Sequence, residues 1–173
     1  KEIDYFRARY VERDFSILDR INFSPSVSLT LGPTYQYFSL DSSDNSNRYV
    51  LQTGTNGLDP NTLYEKQSFA GGLLKLNIDN RNNKALPSRG INWQTYLRAL
   101  HGLNDASRNV TQLKSDMAFY LSFSRQAGFI LAVRFGGGHN FGDFEFHQAQ
   151  SLGGTENLRG YRKFRFNGQS MAY

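Results

Sequence analysis

Apolar and polar side chains alternate with a period of two through most of the chain, which predicts strands rather than helices. The segment 114–124 places Met117, Phe119, Leu121 and Phe123 on one face, with Lys114, Asp116, Tyr120, Ser122 and Ser124 on the other. The next, 129–138, sets Phe129, Leu131, Val133 and Phe135 against Ala132, Arg134, Gly136 and Gly138. Residues 70–78 carry Ala70, Gly72, Leu74, Leu76 and Ile78 opposite Lys75 and Asn77, and residues 91–99 repeat the pattern around Trp93 and Leu97. Val27, Leu29 and Leu31 mark a strand over 26–31. Phe6, Ala8 and Tyr10 mark one over 4–12, and a last begins near Lys163 and runs to Tyr173. About seven strands are expected, giving an all-β, antiparallel fold.

A soluble sandwich would alternate in the same way. Two features favour a transmembrane β-barrel. Several segments run for about nine to twelve residues, the length that crosses a bilayer at a tilt, where soluble strands average about five or six. Their polar faces also carry Arg, Lys, Asp, Asn and Gln at mid-strand, as a wet lumen permits. The connections alternate too. Those around 16–22, 79–89 and 125–128 are short or moderate, while those around 41–65, 101–109 and 139–162 are mostly longer and rich in Asn, Ser, Gly and Asp. Barrels of the outer membrane pair short periplasmic turns with long outer loops.

Composition narrows the alternatives. The 173 residues suffice for one domain, and no apolar run approaches the roughly eighteen residues of a spanning helix. Fourteen Phe and ten Tyr against four Pro suit strands, and the absence of cysteine excludes disulfides and thiolate sites. A net charge of +5 is mild and reads as solvated surface. No signal-peptide pattern follows Lys1, so the chain is expected to be mature, trimmed or cut from something larger.

No catalytic constellation emerges. His101, His139 and His147 are scattered without metal-ligand spacing and read as loop or interface residues. Asp143 and Glu145 could mimic a carboxylate pair but fit a solvated loop better. Gly136-Gly137-Gly138 is neither a dinucleotide fingerprint nor a phosphate loop, because no Lys-Ser/Thr and no helix follow it. The chain is expected to be no enzyme, with neither cofactor nor metal.

One segment stands apart: Leu152-Gly153-Gly154, then Leu158-Arg159-Gly160-Tyr161-Arg162, then Arg165-Phe166-Asn167-Gly168. It resembles the signature of the BamA/TamA-type outer-membrane assembly superfamily, the bacterial surface antigen family. Asp79-x-Arg81 followed by Pro87-x-Arg89-Gly90 also looks like a periplasmic turn of that family. The motif match covers the later half of the chain, and the strand pattern covers all of it.

The resemblance implies a sixteen-stranded barrel, of which residues 1–173 would be a part that stops before closure. The loop at about 139–162 would be the sixth outer loop, folded back into the lumen. Arg159 would be held against the lumen wall, since a guanidinium tolerates burial only when paired; the alternative is an exposed outer loop with Arg159 facing solvent. Asp116, Tyr120 and Arg134 are the nearest lumen-facing candidates to meet it, although in the family the acidic partner usually lies on a strand after the motif. The implied function is insertion or export of other proteins at the bacterial outer membrane. The implied partners are membrane lipid, unfolded outer-membrane protein clients and accessory subunits, and not nucleic acid. Two alternatives stay open: a barrel that anchors or exports a fused phosphoesterase-like or patatin-like domain, and a soluble β-rich binding module.

Overall fold

The computed structural model describes residues 5–52, 58, 60–123 and 128–173. Among these residues there are ten strands: β1 (Val11–Ser16), β2 (Asp19–Ser24), β3 (Val27–Ser39), β4 (Gln67–Asp79), β5 (Gly90–Gly102), β6 (Val110–Ser122), β7 (Ile130–Gly142), β8 (Gln150–Leu152), β9 (Phe166–Gly168) and β10 (Ser170–Ala172). Eight of them form one antiparallel sheet in the order β1/β2-β3-β4-β5-β6-β7-β10, and β8 pairs with β9 apart from it. β1 and β2 both lie along β3 and together fill one strand position, so the sheet has seven positions. Its connections alternate between ends, each strand returning beside the last in an up-and-down meander.

The side chains divide by parity, as the sequence predicts. Each of β3 to β7 is thirteen residues long, more than twice the usual soluble strand. One face carries Leu31, Leu74, Leu97 and Leu113 in a single cross-strand row, and Ile78, Trp93, Met117 and Phe135 in another. That apolar face is the exposed one: Leu121 is 54% accessible, Phe123 68% and Phe129 62%. The polar face is the sheltered one, with Gln36 at 2% and Asn140 at 0%. This inverts a soluble core and is the partition a lipid-facing wall requires.

The sheet curls around its polar face. Arg98 on β5 reaches Asp14 on β1 at 2.5 Å, three strand positions away, and also touches Thr34 at 3.4 Å. Three flat strand spacings would put roughly 14 Å between those backbones, so the contact reports strong curvature. The end that bears the 40–66 connection, expected from the loop pattern to be the outer one, is capped by a small apolar cluster of Phe38, Leu40, Val50 and Leu63, and a second of Phe69, Leu100 and Val110.

Four sequence expectations are corrected. The first strand does not cover 4–12. Residues 5–10 cross the outer cap, where Tyr10 packs on Phe38 and Phe146 and the Arg9 backbone bonds twice to the Asn45 amide. The 16–22 connection is strand on either side of a break at Ile17 and Leu18, and the chain reverses at Pro25–Ser26. Second, β3 continues past Gly32-Pro33 to Ser39. Pro33 has no N–H to offer, and it sits where β1 gives way to β2, so only its carbonyl is used, accepting from the Ile17 amide at 3.1 Å. Third, of 163–173 only Ser170–Ala172 are a strand of the sheet, with Tyr173 bonding to Gly136 beyond them. Fourth, β7 keeps His139–Gly142 in the sheet, so the last loop covers 143–169, and the 103–109 connection is shorter than the 80–89 connection at the other end. Asp4, Ser124 and the start of the 125–128 turn lie outside the described residues.

Backbone crowding at the centre of the sheet is uneven. A Cβ at Gly71 would lie 1.8 Å from the Ala99 carbonyl oxygen, whereas one at Gly72 meets nothing within 4 Å. Gly71→Ala is expected to lower the stability of the folded protein in detergent by about 1–3 kcal/mol, the range of overpacking. Gly72→Ala should leave it unchanged. Thermal unfolding followed by gel mobility of unheated samples reads both.

Candidate functional site

The concave face gathers charge that a lipid-facing wall would not tolerate. Beside the Asp14–Arg98 pair, Arg134 Nε bonds to both oxygens of Asp116, at 3.1 and 2.8 Å. The Tyr173 hydroxyl donates to the same carboxylate at 2.6 Å. Gln36 Nε2 donates to Glu12 at 2.8 Å. Each of these anions is therefore matched to a donor on another strand, as burial of charge demands.

The loop over 143–169 lies across this face, and neutral amides fasten it. The backbone carbonyl of Gln148 accepts from Gln112 Nε2 at 2.7 Å and from Asn140 Nδ2 at 2.9 Å. Gln148 Nε2 in turn donates to Gln36 at 3.2 Å, joining β3 to β6 and β7 through the loop. Gln150 Nε2 donates to Asn140 Oδ1 at 2.6 Å. Residues Phe146–Gln148 form a helical turn closed by reciprocal bonds between Glu145 and Gln148. His147 leaves that turn to stack on Phe38, with ring centroids 3.8 Å apart and planes within 3°. Both of its ring nitrogens are buried without a partner, and burial, helped by the charge of Arg98, pushes its pKa from 6.5 down to about 3.

Beyond this seat the chain forms the β8–β9 hairpin that carries the motif. Gly153 and Gly154 adopt φ of 133° and 86°, and a Cβ at Gly153 would lie 2.0 Å from the Arg162 carbonyl oxygen. Only glycine lets the two arms approach so closely. Asn157 clamps the turn: its Oδ1 accepts from the Gly153 amide at 2.9 Å and its Nδ2 donates to the Ser151 carbonyl at 3.0 Å. Leu158 bridges to Gly154, and the Tyr161 carbonyl accepts from the Gly154 amide at 2.9 Å. Gly160, at φ 94°, turns the tip.

The tip itself stays in water. Arg159 and Tyr161 are exposed, Tyr161 resting against Phe166 at 5.4 Å, and Arg159 makes no hydrogen bond or ion pair among the described residues. The lumen residues suggested as its partners are engaged elsewhere: Asp116 and Arg134 with each other, and Tyr120 with Arg81 in the 80–89 turn. Among the described residues the structure thus brings Asp116 and Arg134 together and leaves Arg159 apart from both. The amides that do hold the loop, Gln36, Gln112, Asn140, Gln148 and Gln150, were not singled out by the sequence. Three of them occupy inward parity positions, which marks them as lumen-facing but not as partners.

Between loop and wall lie two adjoining cavities, of about 580 and 370 Å³, which share Tyr96, Lys114 and Ser151. Glu156 and Asn157 of the hairpin line the larger one together with Arg20, Lys75, Asp116 and Arg134. Among the described residues no cluster of His, Cys, Asp and Glu is arranged to hold a metal ion. His101 and His139 lie at outward parity positions on β5 and β7, where His139 bonds to Ser170 and meets Phe141.

The Omp85 superfamily domain matches residues 1–171 of the chain. Among solved structures, BamA from Haemophilus ducreyi lacking POTRA domains 1–3 is similar, with a TM-score of 0.65 at 16% identity. The match covers 91% of this chain and 31% of that one, so this chain spans about a third of its length. No curated protein matches the chain in sequence.

Two outcomes follow from the amide seat. Asn140→Ala strands the Gln150 amide and removes one donor from the Gln148 carbonyl, at about 1–3 kcal/mol for unsatisfied buried groups. Trypsin should then cut the folded protein at Arg159, Arg162 or Lys163 about ten-fold faster, since cleavage follows the opened population. The depressed His147 pKa sets the second. Released from its seat, the imidazole binds a proton below about 6.5, and seated it does not until about 3. The seat's stability is therefore complete above the first value and is lost as pH falls toward the second. A spin label at position 159 should gain mobility between pH 7 and 5, and His147→Leu should abolish that response.

Proposed function

This chain belongs to the Omp85 superfamily, whose members are β-barrels of the bacterial outer membrane, and on that footing we propose that it handles other polypeptides there, inserting them into the membrane or exporting them across it. The observation that carries the reading is the wall itself. Its outer face is apolar and exposed, and its inner face is polar, hydrogen-bonded and occupied by a loop fastened across strands β3, β6 and β7. A barrel built only as an anchor has no need of a hydrated inner face with space left between loop and strands, whereas a protein that accepts unfolded chains needs polar groups able to exchange partners with an incoming backbone.

The proposed clients are unfolded outer-membrane proteins, and the proposed setting includes accessory subunits, as for an assembly complex. No catalytic step is involved. Pairing of strands would supply the free energy that insertion needs. The 143–169 loop, with Gly153, Gly154 and the Leu158–Tyr161 tetrad at its tip, would remain seated while clients engage and would shape the space they enter.

Controlled depletion of the full-length protein in its own host tests the reading. Folded outer-membrane barrel proteins, scored by resistance to heat and protease in membrane fractions, or exported polypeptides in the medium, are expected to fall several-fold before growth slows. Unchanged levels of both would remove the proposal.

A further inference from the structure

Strand register lines up five inward side chains in one row across the wall: Arg20 on β2, Thr30 on β3, Lys75 on β4, Tyr96 on β5 and Lys114 on β6. Cations alternate with hydroxyls along it, and all five line the 580 Å³ cavity. Elsewhere on this face positive charge is answered: Arg98 by Asp14 and Arg134 by Asp116. In the row it is not. The Arg20 guanidinium bonds to the Ser28 hydroxyl, Lys75 lies over the Tyr96 ring at 5.7 Å, and neither side chain has an ion-pair partner among the described residues. Lys114 feels one carboxylate, that of Glu156 on the loop hairpin, which lines the same cavity.

Uncompensated cations in a partly sheltered cavity focus field toward it and favour an anionic occupant. Glu156 shows the chemistry the space accepts, a carboxylate carried on a protein backbone. We infer that this row is a binding site for an extended polypeptide segment with carboxylates along one face. Four strand spacings separate Arg20 from Lys114, about 19 Å at the backbone and less at the converging head groups. An extended segment repeats side chains on one face every 6.7 Å or so, so three carboxylates at alternate positions span a comparable distance. The hydroxyls of Thr30 and Tyr96, with Asn77 and Gln94 beside them, supply neutral partners for its backbone. Glu156 would be displaced as the segment enters. The inference rests on the polypeptide-handling reading and names the kind of segment the inner wall receives.

The test uses the full-length protein in detergent and a fluorescent peptide of alternating Glu and Thr, compared with its Gln-Thr counterpart by anisotropy. The Glu peptide is expected to bind about ten-fold more tightly at low salt, a typical margin for close charge pairs. Raising salt from about 50 to about 300 mM should shrink that margin. Lys75→Gln combined with Lys114→Gln should abolish it while gel mobility of the folded form is kept. Lys163→Gln on the exposed loop should preserve it, and Glu156→Gln should tighten binding. Equal affinity for the two peptides, or a preference that survives the double substitution, overturns the site. So does lysine-dependent binding of inorganic pyrophosphate without binding of the peptide. Loss of the preference with client handling intact would dismiss this site alone, whereas intact preference without effect of depletion would dismiss the wider function.

Discussion

A backbone amide or carbonyl left unpaired in hydrocarbon costs several kcal/mol, and that cost organises every strand of this protein. Each of β3 to β6 meets it with ladders on both sides that run nearly the full length of the strand, while β7 has a full ladder to β6 and a short one to β10. The side chains are then free to divide by parity, because the backbone no longer needs a polar neighbour. Apolar residues go to lipid and polar ones to the interior, and thirteen-residue strands follow from the thickness to be crossed. Pro33 is the exception that shows the rule. It stands in a central position, where a missing N–H is usually excluded, but opposite the break between β1 and β2, where the ladder has already lapsed.

The same constraint explains what could be read from the chain. β4 to β7 carry mostly apolar residues at their outward positions, such as Leu74, Leu76 and Ile78 on β4 and Leu131, Val133 and Phe135 on β7, against mostly polar or small ones inward. The first strand is misplaced because Arg13 and Asp19 interrupt the outward row of Val11, Phe15 and Ile17, while Glu12 and Asp14 face inward. Conversely, Phe6, Ala8 and Tyr10 keep a strand-like period in a segment that folds over the outer cap. Their alternation reflects packing on Phe38 and Tyr49 rather than a ladder. Periodicity reports a surface with two sides, and a cap has two sides as well.

The glycine-rich motif was legible as a motif and not as a geometry. Gly153 and Gly154 stand where the hairpin arms close, which their spacing announces. What holds that hairpin to the wall lies upstream, in Gln148 and Gln150. Their partners Gln36, Gln112 and Asn140 sit between 8 and 112 residues away. No local pattern encodes a contact of that separation. Inward parity at Gln36, Gln112 and Asn140 says only that a polar group faces the interior, and the choice of partner is made by curvature, which the alternation of side chains does not contain.

That the loop is held by amides rather than by its arginine has a physical reason. An amide carries donor and acceptor together, so Gln150, Asn140, Gln148 and Gln36 link in an open chain that ends on the Glu12 carboxylate, and they are buried almost completely. A guanidinium offers five donors and no acceptor, and removing it from water without a matched anion is expensive. The carboxylates nearest the hairpin's side of the wall are already engaged, Asp116 by Arg134 and Tyr173, Asp14 by Arg98. With these anions taken, the charged tip is left in water and the neutral stem is buried. The division leaves Arg20, Lys75 and Lys114 facing open space between stem and wall. The seat of the loop and the positive charge of the cavity are thus consequences of one allocation of partners across the inner face.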